Sequence, residues 1–257
     1  MVRPLMAVAG VALIGVGAAV AFGWVGTDTA EAENNIAERV RSVEIDNQSG
    51  DVTIRATDTQ QTKVHQSFRY RWGEPDEAYE LDGDNLVLNG CGWGCDVSYQ
   101  VEVPRDVLVT GKASSGNVTL TEVGGVDVQA NSGNIEVRRA AGEVRTKASS
   151  GNITLVDLTG PVFAEANSGN IRGDQLGNRA EVQASSGDIT LNLASPQSVT
   201  ASASSGDVEV GVPDGRYRVT TETNGTQEIG VASDDSASHV LDLEASSGDV
   251  TVRTLGR

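Results

Sequence analysis

The tripeptide Ser-Gly-Asn or Ser-Gly-Asp recurs eight times, with its glycines at Gly50, Gly116, Gly133, Gly151, Gly169, Gly187, Gly206 and Gly248. From Gly116 to Gly206 the spacings are 17, 18, 18, 18 and 19 residues. A turn that returns at a fixed interval means that one structural unit is used repeatedly. Each unit must stack on its neighbours to bury its apolar face. Gaps of 66 residues before this run and 42 after it break the period. The second gap holds Asn224-Gly225, 19 residues past Gly206, which reads as a degenerate copy.

After each turn the unit alternates apolar and polar residues. Val118, Leu120, Val126, Val128 and Ala130 mark one unit, with Thr119, Asp127 and Gln129 between them. Apolar residues two apart give a strand with one buried face. Each unit therefore carries two short strands and two turns. Glycine returns because the chain must turn at the same place with a permissive backbone. Asn and Asp follow it because they tolerate left-handed conformations and bond locally. The expected fold is all-β: a single-stranded, β-helix-like solenoid with coils of about 18 residues. An antiparallel meander with Ser-Gly-Asn hairpins also explains the alternation, but not the same turn at every second strand.

Composition agrees with a thin core. The chain has 257 residues, 30 Gly and only 3 Phe, 3 Trp and 4 Tyr. The net charge of −17 excludes nucleic acid as a partner, because phosphate binding needs clustered Lys and Arg. The acidity reads as a solvated outer face.

The chain divides into four parts: an apolar segment over 1–26, a polar spacer over 27–42, an N-terminal coil with a β cap over 43–110, and solenoid repeats over 111–257. Leu5 to Gly26 contains no charge and is long enough to span a bilayer. Arg3 precedes it and Asp28, Glu31 and Glu33 follow, which puts the remainder outside the cytoplasm. It is either an anchor helix or a signal peptide cut after Ala30-Glu31-Ala32. In the cap, Val64, Gln66, Phe68, Tyr70 and Trp72 share one strand face, and Leu81 to Leu88 reads as a hairpin. Little sequence remains after Gly248 for a C-terminal cap, which leaves open sheet edges and end-to-end self-association as one outcome.

These residues resemble the bacterial and archaeal putative-adhesin family of β-strand repeats, domain of unknown function 4097. The resemblance rests on the Ser-Gly-Asp/Asn-Val-x-Leu/Val repeats, the N-terminal apolar segment, and Val103-Pro104 ahead of Val107-Leu-Val-Thr. It covers about residues 43–257 and implies a β-solenoid at the cell envelope, with no catalytic residues.

The side chains themselves point to binding rather than chemistry. Cys91 and Cys95, in Cys-Gly-Trp-Gly-Cys, are placed for a disulfide outside the cytoplasm. Trp72, Trp93 and Tyr99 form either a binding patch for a surface protein or polysaccharide or the apolar lid of the solenoid end. Asp51, Asp188, Asp207 and Asp249 stack after the repeat glycines. The Gly-Gly-x-Gly-x-Asp pattern of calcium rolls is absent from the chain. His65 and His239 stand alone, and no nucleophile elbow or phosphate loop occurs. The expectation is a non-catalytic envelope protein without a cofactor or metal.

Overall fold

The structure is a computed structural model and describes residues 27–256. Among these residues every regular element is a strand. The expected N-terminal helix lies outside the described residues.

The strands form two long sheets, of twelve and eleven strands, that face each other across one thin core. Six successive coils each give one strand to each sheet. The first joins Leu108–Ser115 to Val118–Thr121, and the sixth joins Val199–Ser205 to Val208–Val212. Pairing between coils is parallel, as in Val126 with Val144, then Val144 with Val162. A meander would pair them antiparallel, so the solenoid-like reading holds for this part of the chain.

The Ser-Gly-Asx turn is the corner where the chain passes from one sheet to the other. Gly151 has φ +148°, and a Cβ there would stand 2.0 Å from the carbonyl oxygen of Gly133. The glycine is therefore required twice, by backbone conformation and by contact with the coil beside it. The next residue forms a second ladder. Asn134 donates its backbone N–H to Oδ1 of Asn117 at 3.0 Å, Asn152 to Asn134 at 2.8 Å and Asn170 to Asn152 at 2.8 Å. Asp188, Asp207 and Asp249 continue the series. Only a side-chain oxygen at this reach is needed, so Asn and Asp interchange.

Behind the corner the sheets come close together. Ala113, Ala130, Ala148, Ala166, Ala184, Ala203 and Ala245 stand in register on one sheet, all buried. Ile135, Ile153, Ile171 and Ile189 form the matching column on the other. Each buried Ile contributes about 1.5–3 kcal/mol. A larger residue in the alanine column would overpack the corner.

Both ends depart from simple stacking, and the departures account for the two long gaps. The first coil in sequence, Ser42–Asn47 with Val52–Thr57, is second in space. It sits between Asn85–Asn89 with Cys95–Pro104 outside it and Leu108–Ser115 with Val118–Thr121 inside it. The last coil in sequence, His239–Ala245 with Val250–Thr254, is likewise second to last in space. Outside it lie Tyr217–Thr223 and Gln227–Ile229, the coil of the degenerate Asn224-Gly225 copy. A Cβ on Gly225 would stand 2.3 Å from the Gly248 carbonyl oxygen, so this copy stacks on Gly248 and not on Gly206. The expectation that little sequence serves the C-terminal end is thus corrected: the cap comes before the last coil. Buried Tyr217 fills it, donating its hydroxyl to the Pro213 carbonyl at 3.0 Å. Arg216 and Ser236 clip Asp234 over it and hold that carboxyl down at about 2.

The spacer over 27–42 is also corrected. Asp28–Ile36 is an edge strand of the twelve-stranded sheet, paired antiparallel with Thr62–Tyr70. Polar composition misled because this strand buries only Asn34 and Ile36. A cut after Ala32 would remove five of its nine residues.

Gly151→Ala is expected to cost about 2–4 kcal/mol from backbone strain and the clash with Gly133. Asn152→Ala should cost about 1 kcal/mol, and Asn152→Asp should recover most of it, because it restores the acceptor for Asn170. Urea unfolding of the three variants checks both ladders.

Candidate functional site

Two surface features carry side chains that a ligand could use. The first is a tip at the N-terminal end. Cys95–Pro104 starts four residues before Tyr99, the partner of Val52, so this strand runs past the Ser-Gly-Asx corner. Thr62–Tyr70 runs beside it and ends with Tyr70 opposite Cys95. Beyond this pair, Arg71 donates its backbone N–H to the Gly94 carbonyl at 3.1 Å. Cys91 and Cys95 are disulfide-bonded, as expected, and close the facing loop. Trp72 and Trp93 stack there with ring centroids 4.9 Å apart and planes 10° apart. A Cβ on Gly94 would already sit 3.1 Å from the Trp72 ring, so the loop has little room to move inward. Trp72 is 62% and Trp93 88% exposed.

Tyr99 does not join them. It is buried, and its hydroxyl lies 2.6 Å from the carbonyl oxygens of both Ala78 and Asn89, which share its one proton. Burial pushes its phenol well above the ordinary tyrosine value. The patch expected from Trp72, Trp93 and Tyr99 is therefore a pair of tryptophans. The lid role belongs to Tyr99 and Phe68, whose rings are buried in the core. Alternation along Cys95–Pro104 separates the two roles: Val97, Tyr99, Val101 and Val103 all point inward.

The second feature lies on the outer face of the eleven-stranded sheet. Here a depression of about 380 Å³ crosses the strands Gly125–Ser132 to Val199–Ser205. Phe163 is at its centre. The Arg145 guanidinium lies 4.0 Å from the ring centroid and that of Arg179 5.5 Å. Lys147 pairs with Glu165 at 2.7 Å along the next column. Thr146, between Arg145 and Lys147, forms part of the floor with its side chain turned to the core face, where its buried Oγ1 has no hydrogen-bond partner among the described residues. Sequence reasoning missed this site, although the period contains it: Arg145 and Phe163 are 18 residues apart, hence adjacent on neighbouring coils.

The stacked aspartates are occupied by structure. Oδ1 of Asp51, Asp188, Asp207 and Asp249 each accepts a backbone N–H from the neighbouring coil, at 2.7, 3.0, 2.8 and 2.7 Å. Among the described residues, no group of three or more His, Cys, Asp or Glu is arranged to hold a metal ion. His65 Nε2 lies 3.3 Å from Ser67 Oγ, and His239 lies beside the Tyr217 ring.

Tyr99→Phe is expected to lower stability by about 1–2 kcal/mol at neutral pH, because two buried carbonyls lose their donor. With its folded-state value raised, Tyr99 stabilises the fold fully below the ordinary value of about 10 and loses that contribution as pH rises beyond it. Urea midpoints across alkaline pH should therefore fall less steeply in Tyr99→Phe than in the parent chain.

A family model described as Toastrack DUF4097 matches residues 96–253. No curated protein matches the chain in sequence. Several solved structures share the fold. A putative adhesin from Parabacteroides distasonis is 15% identical, with a TM-score of 0.57 over 90% of this chain and 98% of that one. One from Bacteroides fragilis is 11% identical, with a TM-score of 0.55 over 88% and 97%. One from Parabacteroides merdae is 13% identical, with a TM-score of 0.53 over 91% and 98%.

Proposed function

The chain belongs to the Toastrack DUF4097 family, and on that premise we propose that it is a non-catalytic cell-envelope protein, an adhesion or ligand-display module. In this reading residues 1–26 form an anchor helix that keeps the remainder outside the cytoplasm. The single-stranded solenoid of about 18-residue coils is the presented surface. The integrity of Asp28–Ile36 favours the anchor over a cut after Ala32, since that cut would halve the edge strand. The names of the similar structures accord with a surface role.

The depression around Phe163 carries the reading. It offers a ring, two guanidiniums and a carboxylate within one shallow site. Those groups suit a polar polymer with some apolar surface, either a polysaccharide or a segment of a surface protein. They lie on adjacent coils of a stiff body, so the site is formed before the ligand arrives and little ordering cost remains.

Phe163→Ala combined with Arg145→Ala is expected to weaken binding to whole cells or to purified envelope polysaccharide at least about tenfold, roughly 1.4 kcal/mol. Binding equal to the parent chain, with the fold intact by circular dichroism, would overturn the assignment.

A second reading is self-assembly of solenoids end to end. It is favoured by Gln227–Ile229 in the outermost C-terminal coil, which among the described residues has one edge without a strand beside it, whereas Ser233 and Asp234 bond to the outer edge of Tyr217–Thr223. All three residues of Gln227–Ile229 are exposed. Sedimentation velocity over a wide concentration range should show growing oligomers on this reading and a constant monomer on the first.

A further inference from the structure

We propose that Trp72 and Trp93 are a membrane-interface anchor, holding the N-terminal tip against the lipid headgroups where the apolar segment leaves the bilayer. This rests on the reading of Leu5–Gly26 as a membrane span.

Strand pairing brings the tip to the place where that segment ends. Asp28 is paired with Tyr70, two residues before Trp72. Tyr70 is paired in turn with Cys95, two residues after Trp93. Only Thr27 separates Asp28 from Gly26, the last residue of the uncharged run. At about 3.3 Å per residue and 5 Å between strands, the path from Gly26 to Trp72 is at most about 20 Å. The chain has no linker that would carry the tip away from the membrane. Cys95–Pro104 and Thr62–Tyr70 run past the corner of the stack, so the tip projects on the side where the chain enters.

The chemistry of the tip fits that position. Two large rings 62% and 88% exposed are unusual in a chain with ten aromatic residues, most of them gathered near this end. Tryptophan favours the membrane–water interface, where its ring is in an apolar layer and its N–H meets polar groups. The third tryptophan of the sequence, Trp24, lies two residues inside the end of the uncharged run. The disulfide and the Arg71–Gly94 hydrogen bond hold the pair in place before any contact is made.

Charge plays little part. Arg69 and Arg71 are offset by Asp28, Glu74 and Asp96, and Arg69 is paired with Asp96 at 3.1 Å. The whole chain carries −17, which repels anionic lipid. The rings must therefore dock by partitioning, and a zwitterionic surface suffices.

The test uses the full chain with Trp24→Phe, reconstituted in phosphatidylcholine vesicles, so that Trp72 and Trp93 supply all the tryptophan emission. Phosphatidylcholine brominated near the glycerol backbone should remove most of that emission, and acrylamide in the water should quench it several-fold less than it quenches free tryptophan. High salt should change neither. Alkaline carbonate washing of the same vesicles checks the anchor independently. If the protein stays in the membrane but bromolipid has no effect and acrylamide quenches freely, the interface role is overturned and the anchor stands. If the rings become protected only when a soluble oligosaccharide such as cellohexaose is added, they form a sugar platform and the interface role is overturned. If washing releases the protein, the anchor reading fails and this inference fails with it.

Discussion

The contact on which the rest of the structure depends is the close approach of one Ser-Gly-Asx corner to the next. The glycine lets neighbouring backbones come within a distance that any Cβ would block. A Cβ on Gly133, Gly151 or Gly169 would meet the carbonyl oxygen beside it at 2.0–2.1 Å. That proximity puts Oδ1 of the next residue on the N–H of the adjoining coil. The parallel register of the stacked coils follows from it, and so does the alignment of the alanine column behind the corner. A hydrogen bond of this kind is worth about 1 kcal/mol net. Repeated along the stack it sets one register and disfavours slips, which in a parallel sheet would turn apolar residues outward.

A stack of identical coils has two open ends, and this chain treats them alike. At each end an outer coil is laid down out of sequence order, and an inner coil occupies the place beneath it. The outer coils are the irregular ones. Cys95–Pro104 and Thr62–Tyr70 are longer than the repeat strands, and Tyr217–Thr223 and Gln227–Ile229 carry the degenerate turn. Regular coils are thereby kept in the interior, where both neighbours demand the same register. Buried rings occur where the repeat ends: Tyr99 and Phe68 fill one end and Tyr217 the other.

The candidate sites lie where the repeat is broken or coloured. Trp72 and Trp93 stand on strands that outrun the corner. Phe163 interrupts a column otherwise made of polar residues, Asp127, Arg145, Glu181 and Thr200. The first places an aromatic pair beside the point where the chain enters the fold. The second gives the broad outer face one distinctive site. A module tethered at one end and recognising a partner along its side would use both.

The repeat corner, the alternation of strand faces, the hairpin at Leu81–Leu88 and the disulfide were legible in the residues, because each depends on contacts close in sequence or on a strict period. The left-handed residues of the opposite corner were not. Glu122, Arg139, Asp157 and Gln175 have φ of +62°, +52°, +57° and +55°, but their side chains carry no common signal. The strand at Asp28–Ile36 was hidden because an edge strand with two buried residues looks like a polar spacer. Tyr99 and Trp93 looked equivalent as aromatics near a turn, and only the direction of each side chain, inward on a strand or outward on a loop, separated them.

The sequence by itself determined a two-faced coil of about 18 residues, since period and patterning are local properties of the chain. Tertiary structure decided the order of coils at the two ends. The 66- and 42-residue gaps record the detours without saying where they go. Any free coil edge offers the same backbone donors and acceptors to the next strand, so the choice of neighbour is made by the fit of whole coils and not by a motif.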